Sequence, residues 1–139
     1  MNSTNKDTEI EQIKLQAQAQ TLLPQQLAVL KDLAIDSRLP INERIFSAYL
    51  IVLNQAEQSQ ESLFNVAKTE VPDFGPIHPH SESELRHTQE LAIRYMQVDE
   101  LFQRAKTDAN ALDKLKLLTK EAQSAQVRSY AEKKIKELK

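Results

Sequence analysis

The chain contains no cysteine. Disulfides, thiolate metal sites and a cysteine nucleophile are excluded at once. It contains one glycine in 139 residues and no tryptophan, and aromatics make up 5%. With so little glycine, no Gly-rich phosphate loop or dinucleotide fingerprint can be written on this sequence. β-Branched residues rarely alternate with polar ones, so a substantial sheet is not expected. Long hydrophobic runs are also missing. Ile45–Leu53 is the longest and is broken by Ser47, well short of the ~20 residues of a membrane span. The first twelve residues, MNSTNKDTEIEQ, lack the basic and apolar regions of a signal peptide. The default expectation is therefore a cytoplasmic protein, although composition alone does not fix the compartment.

What is present favours helix. Ala, Leu, Gln, Glu and Lys dominate, and all are good helix formers. The length suits one domain with a real core. Net charge is −2, unevenly spread: residues 1–100 hold 8 basic and 15 acidic side chains, residues 101–139 hold 10 and 5. A solvated Lys/Glu helix face explains such a tail in the ordinary way. A basic stripe through Lys114, Lys116, Lys120, Arg128, Lys133, Lys134 and Lys136 is the nucleic-acid alternative. Glu121, Glu132 and Glu137 interrupt it, so a protein or peptide partner is the preferred expectation and nucleic acid the lesser one.

Hydrophobic periodicity predicts seven helices and places them in an all-α fold. Residues 1–7 read as a disordered N-terminus, and 8–139 as one helical domain. A helix over 8–22 opens on a capping box, Thr8 with Glu11. Pro24 starts a second helix carrying Leu27, Leu30, Leu33 and Ala34. Pro40 opens a third, whose segment RIFSAYLIVL (44–53) is apolar on nearly every side and is expected to be the centre of the core. NQAEQSQ (54–60) reads as a polar connection. A short helix with Leu63, Phe64 and Ala67 follows. Ser81 and Glu84 form another capping box, opening the longest helix, 82–106, with Leu85, Leu91, Ala92, Tyr95, Val98, Phe102 and Ala105 on its apolar face. KTDAN (106–110) breaks the pattern. Helix 110–122 carries Leu112, Leu115, Leu118 and Ala122. A turn follows, with Ser124 as N-cap, and a last helix carries Val127, Ala131, Ile135 and Leu138.

Two segments are alike: LAVLKDLAIDSRLPINERIFSAYLIVL (27–53) and LDKLKLLTKEAQSAQVRSYAEKKIKEL (112–138). Each has a Leu-rich helix, a short turn, and a helix with Arg near its start and Ala soon after: Arg44 with Ala48, Arg128 with Ala131. These pairs resemble HEAT-like repeats. The starting leucines lie 85 positions apart, about twice the ~40–47-residue period of that class. The resemblance implies a short α-solenoid with a middle pair formed by helix 59–70 and helix 82–106. The alternative is an irregular helical bundle. A repeat fragment lacking a cap exposes an apolar end, so self-association is also open.

The one long connection, VPDFGPIHPHSESELRH (71–87), holds the only glycine and all three histidines. Loops on rigid scaffolds commonly carry binding residues. Asp73, Phe74, Ile77, His78 and His80 are the candidate partner-binding residues. Phe74 and Ile77 either fold back over the core or form an exposed apolar contact. His78, His80 and His87, with Glu84, form a weak zinc alternative. Turn chemistry explains the same residues more simply, so no metal or cofactor is expected. Asp73-Phe74-Gly75 matches a kinase tripeptide, but the rest of that motif set is missing. No catalytic residue is assigned and the expectation is a non-enzyme.

Overall fold

A computed structural model describes residues 22–54 and 57–138. The expected helix at 8–22 and its Thr8–Glu11 cap lie outside the described residues, Leu22 excepted. Among the described residues the chain forms six helices and no strand: α1 (Pro24–Ile35), α2 (Ile41–Leu53), α3 (Ser59–Ala67), α4 (Glu82–Ala105), α5 (Ala109–Glu121) and α6 (Ala125–Glu137). No helix among them is long and apolar enough to cross a membrane.

Local chemistry sets most of the boundaries. Pro24 occupies the first turn of α1, where a missing N–H costs nothing. The Leu23 N–H, left without an intrahelical acceptor, donates to Gln26 Oε1 at 2.8 Å. Ser81 Oγ accepts from the Glu84 N–H at 3.1 Å at the start of α4, which is half of the expected capping box: the Ser81 N–H donates to His78 O instead of to the Glu84 carboxylate. Asp108 caps α5 by accepting from the Asn110 and Ala111 N–H groups. Ser124 holds the N-cap position of α6 but makes no cap bond. Its hydroxyl is turned to Gln126 Oε1 instead, at 3.2 Å.

The helices pack in pairs and in two layers. Each packs against the next in sequence, and α1, α3 and α5 also touch in order, as do α2, α4 and α6. The core lies between the layers, with Leu27, Leu30, Leu63, Val66, Leu115 and Leu118 from one and Ala48, Ile51, Ile93, Val98, Leu101 and Val127 from the other. The 24-residue α4 is the central element, in contact with α2, α3, α5 and α6. The sequence points to α2 instead. That helix is indeed largely buried, but Tyr49 on its outer face is 43% exposed.

A recurrent device ties each pair together. The last carbonyls of a helix have no intrahelical donor and carry partial negative charge, so a cation is favoured there. Arg44 of α2 donates from Nε to Ala34 O near the end of α1, at 3.1 Å. Arg94 of α4 donates to Thr69 O (3.0 Å) and Glu70 O (2.7 Å), just past the end of α3. Arg128 of α6 donates to Ala122 O (2.6 Å) and Gln123 O (3.3 Å) at the end of α5. At the opposite edge, Arg104 of α4 serves the end of α2, donating to Asn54 O at 2.6 Å and Ser59 Oγ at 2.7 Å. Asn54 and Ser59, read from the sequence as part of a polar connection, are buried against Arg104, and the buried Gln60 donates its amide to Asn110 Oδ1.

Two of these arginines share one carboxylate. Glu90 accepts from Arg44 Nη1 (2.9 Å), Arg44 Nη2 (2.5 Å) and Arg94 Nη1 (3.1 Å), and all three residues are at most 4% exposed. Burial pushes the Glu90 carboxyl up, but the bonds and charges of Arg44 and Arg94 outweigh it and hold it below its ordinary range. Burial pulls the Arg94 guanidinium down, against the upward pull of Glu90.

Candidate functional site

The three within-pair connections lie along one edge of the molecule. Two are tight turns, Asp36–Pro40 and Ala122–Ser124. The third, between α3 and α4, is the long loop. The Gln123 N–H donates to Lys68 O at 2.9 Å, joining the base of the loop to the neighbouring turn.

The loop is held by its own polar groups. Asp73 Oδ1 accepts from the Gly75 N–H at 2.8 Å, an Asx turn. Gly75 has φ 84°, which disfavours any side chain, though a Cβ there would meet nothing within 4 Å. A second turn spans 78–81. The Ser81 N–H donates to His78 O at 3.1 Å, Pro79 fixes the second position, and His80 sits at φ 61° in the third. A positive φ there is the type II pattern, which favours glycine. Ser81 Oγ also donates to His78 O (2.6 Å), and Ser83 Oγ to Pro76 O (3.1 Å).

So built, the loop leaves a groove on each side. The larger, about 360 Å³, runs between the Ser37–Ile41 turn and the start of α4. Leu39, Pro40, Ile41, Phe74 and Leu85 supply apolar wall, Arg44 and Glu90 the floor, and Glu82, Arg86 and Gln89 the rim. The smaller, about 240 Å³, lies between Glu70–Ile77 and the start of α6. Phe74 is half-buried and borders both grooves, with the Arg86 guanidinium 5.1 Å from its ring centre. Ile77 is 48% exposed and borders only the smaller groove. Leu85, expected in the core, is instead 56% exposed at the larger groove.

The five candidate partner-binding residues therefore divide. Asp73, Phe74 and Ile77 face the grooves. His78 and His80 lie exposed on the outer turn and line neither groove. His87 stands on α4, with the Gln126 amide nitrogen 3.1 Å from its Nε2. Among the described residues no three His, Asp or Glu side chains are grouped as metal ligands.

The lysine stripe is partly engaged. Lys114 pairs with Glu61 at 2.5 Å. Arg128 caps α5. Lys134 lies near Asp99 and Glu137 and over the rings of Phe102 and Tyr130.

A second surface escaped the sequence reading. The chain has three tyrosines, and each sits on a different helix of one layer: Tyr49 on α2, Tyr95 on α4, Tyr130 on α6. They line a shallow depression of about 560 Å³ together with Val52, Ala92 and Met96. Tyr95 and Tyr130 stack with ring centres 4.2 Å apart. The Tyr130 hydroxyl donates to Asp99 Oδ1 at 2.6 Å. Burial and that carboxylate push the Tyr130 hydroxyl well above its ordinary range. The signal available beforehand was the placement of one tyrosine in the second helix of every pair.

No protein-family model matches this chain, and neither a curated protein nor a solved structure shows significant similarity to it.

Proposed function

We propose that the protein is a non-catalytic interaction module: a short HEAT-like stack of three helix pairs that holds a protein or peptide segment in the grooves beside loop 71–81. Two features support the repeat reading. First helices touch first helices and second touch second, in chain order. Each second helix also supplies an arginine to the end of its own first helix. The repeat-like segments 27–53 and 112–138 put Arg44 and Arg128 in this same role.

The observation that carries the binding reading is the construction of the loop. Its polar groups bond within the loop and to the start of α4, while Phe74, Ile77 and Leu85 are left at the groove walls. A preorganised apolar wall loses little entropy when a partner docks. The ionisable groups buried most deeply, Glu90, Arg94 and Arg44, are all committed to helix ends or to one another, which fits a scaffold better than a catalyst.

The tyrosine depression is the second reading, favoured by the enrichment of Tyr and Met in protein interfaces. Selection of binders from a random-peptide library, followed by mapping amide chemical-shift changes, separates the two. Changes centred on 71–77 and 82–89, with affinity reduced about tenfold or more by Phe74→Ala or Leu85→Ala and an almost unchanged Tm, support the loop grooves. Changes centred on Tyr49, Tyr95 and Tyr130 replace that reading with the second. Binding at neither surface overturns both.

A further inference from the structure

From the charges around these grooves, we infer that their occupant is a basic-apolar peptide segment, one in which an aliphatic or aromatic anchor is flanked by Lys or Arg. The inference rests on the reading of the loop grooves as the binding site.

The walls carry both signs of charge, but not equally free. Of the two cations of the larger groove, only Arg44 is paired with a carboxylate. Arg44 has both Nη atoms on the Glu90 carboxylate and its Nε on Ala34 O. Arg86 is laid against the Phe74 ring but is exposed and keeps its charge, which offsets that of Glu82 in the larger groove. The anions are different. Glu82 lines the larger groove, and Glu70 and Asp73 both line the smaller. All three are exposed, and none has an ion-pair partner among the described residues. Asp73 uses one oxygen on the Gly75 N–H and keeps the other. An occupant pressing an apolar side chain against Phe74 and Ile77 thus brings its neighbouring residues beside Glu70 and Asp73 in the smaller groove, whose wall holds no Lys or Arg. Lys or Arg in those positions is attracted, while Asp or Glu is repelled and a polyphosphate backbone more so. Such rim charges act mainly through encounter rate and choice of partner.

The test pans a random dodecapeptide display library on the full chain and on the variant Glu70→Gln/Asp73→Asn/Glu82→Gln. The amides keep the oxygen acceptors, Asp73 Oδ1 included, so the loop retains its turn. Peptides recovered on the wild type, with shifts mapped to the grooves, are expected to be enriched in Lys and Arg beside an apolar anchor. Their synthetic forms should bind the variant about tenfold more weakly, and lose a similar factor between about 50 and about 300 mM salt. Groove-mapped peptides with no basic preference and no response to the variant overturn the inference while leaving the groove reading in place. No peptide mapping to the grooves overturns both. A concentration-dependent dimer in sedimentation that the variant abolishes also overturns it, because the occupant is then a second copy of the chain.

Discussion

Glu90→Leu is the most informative single perturbation of this fold. Glu90 is 1% exposed and is the only carboxylate that Arg44 and Arg94 bond to among the described residues. Its removal strands two guanidinium groups that remain 4% and 1% exposed. Breaking a buried pair from one side costs about 3–5 kcal/mol, and the shared carboxylate puts this case at the upper end. Total stability of a domain this size is about 5–15 kcal/mol. At roughly 3–4 °C per kcal/mol, Tm should fall by about 10–20 °C. The triple replacement Arg44→Met/Glu90→Leu/Arg94→Met sharpens the test. A simple ion triad exchanged for apolar side chains is often neutral or stabilising. Here the arginines also serve Ala34 O, Thr69 O and Glu70 O. Ala34 is fully buried, and an orphaned carbonyl there costs about 1–3 kcal/mol. The triple variant should therefore recover part of the loss and stay about 1–3 kcal/mol below wild type. Urea unfolding of the three proteins measures this. A Glu90→Leu loss below about 1 kcal/mol, or a triple variant more stable than wild type, refutes the assignment of these arginines to helix ends.

Acid sensitivity follows from the same carboxylate. Its folded pKa lies below the ordinary 4.5, so its stabilisation is complete above that pH and drains away as pH falls through the lower folded value; Glu90→Leu should flatten that limb of the Tm–pH curve. Asp36 should titrate at about 2 by carboxyl NMR, held down first by its side-chain bond from Arg38 and then by the Arg38 N–H. In the loop, His80→Gly should stabilise by about 0.5–1 kcal/mol, because relief of left-handed strain exceeds the entropy cost of glycine. Gly75→Ala should destabilise by about 1 kcal/mol for the mirror-image reason, with no steric contribution. Urea midpoints read both, and a change of opposite sign in either would show that the loop relaxes freely. Tyr130→Phe should cost about 1 kcal/mol by the same measurement, through loss of the bond to Asp99.

Element positions were legible because they depend on local chemistry. Proline at the start of α1 and just before α2, Ser81 ahead of α4 and the polar break at 106–110 act within a turn of the boundary they set. The face of α4 was not. Periodicity put Leu85 and Ala92 inside, yet both are exposed, and the buried surface carries Glu90, Arg94, Gln97 and Arg104. A hydrophobicity pattern assigns ionised groups to water; nothing in a single chain says that a carboxylate 46 positions away will meet Arg44. The same blindness left Asn54 and Ser59 as mere parts of a polar connection, when Arg104 gathers both around itself. At the candidate site, Asp73, Phe74 and Ile77 were found from the loop's composition. Leu85 was assigned to the core and the tyrosine depression was missed, because both depend on which helices become neighbours.

By itself, then, the sequence determined an all-helical chain, the approximate ends of its described helices, and one long loop rich in turn residues. Each of these is governed by interactions among residues a few positions apart. Only the tertiary structure decided which face of α4 is buried, which carbonyls the arginines reach, and that loop 71–81 stands as a ridge between two grooves. Those outcomes require partners brought together over tens of residues, where burial and pairing of charge override local propensity.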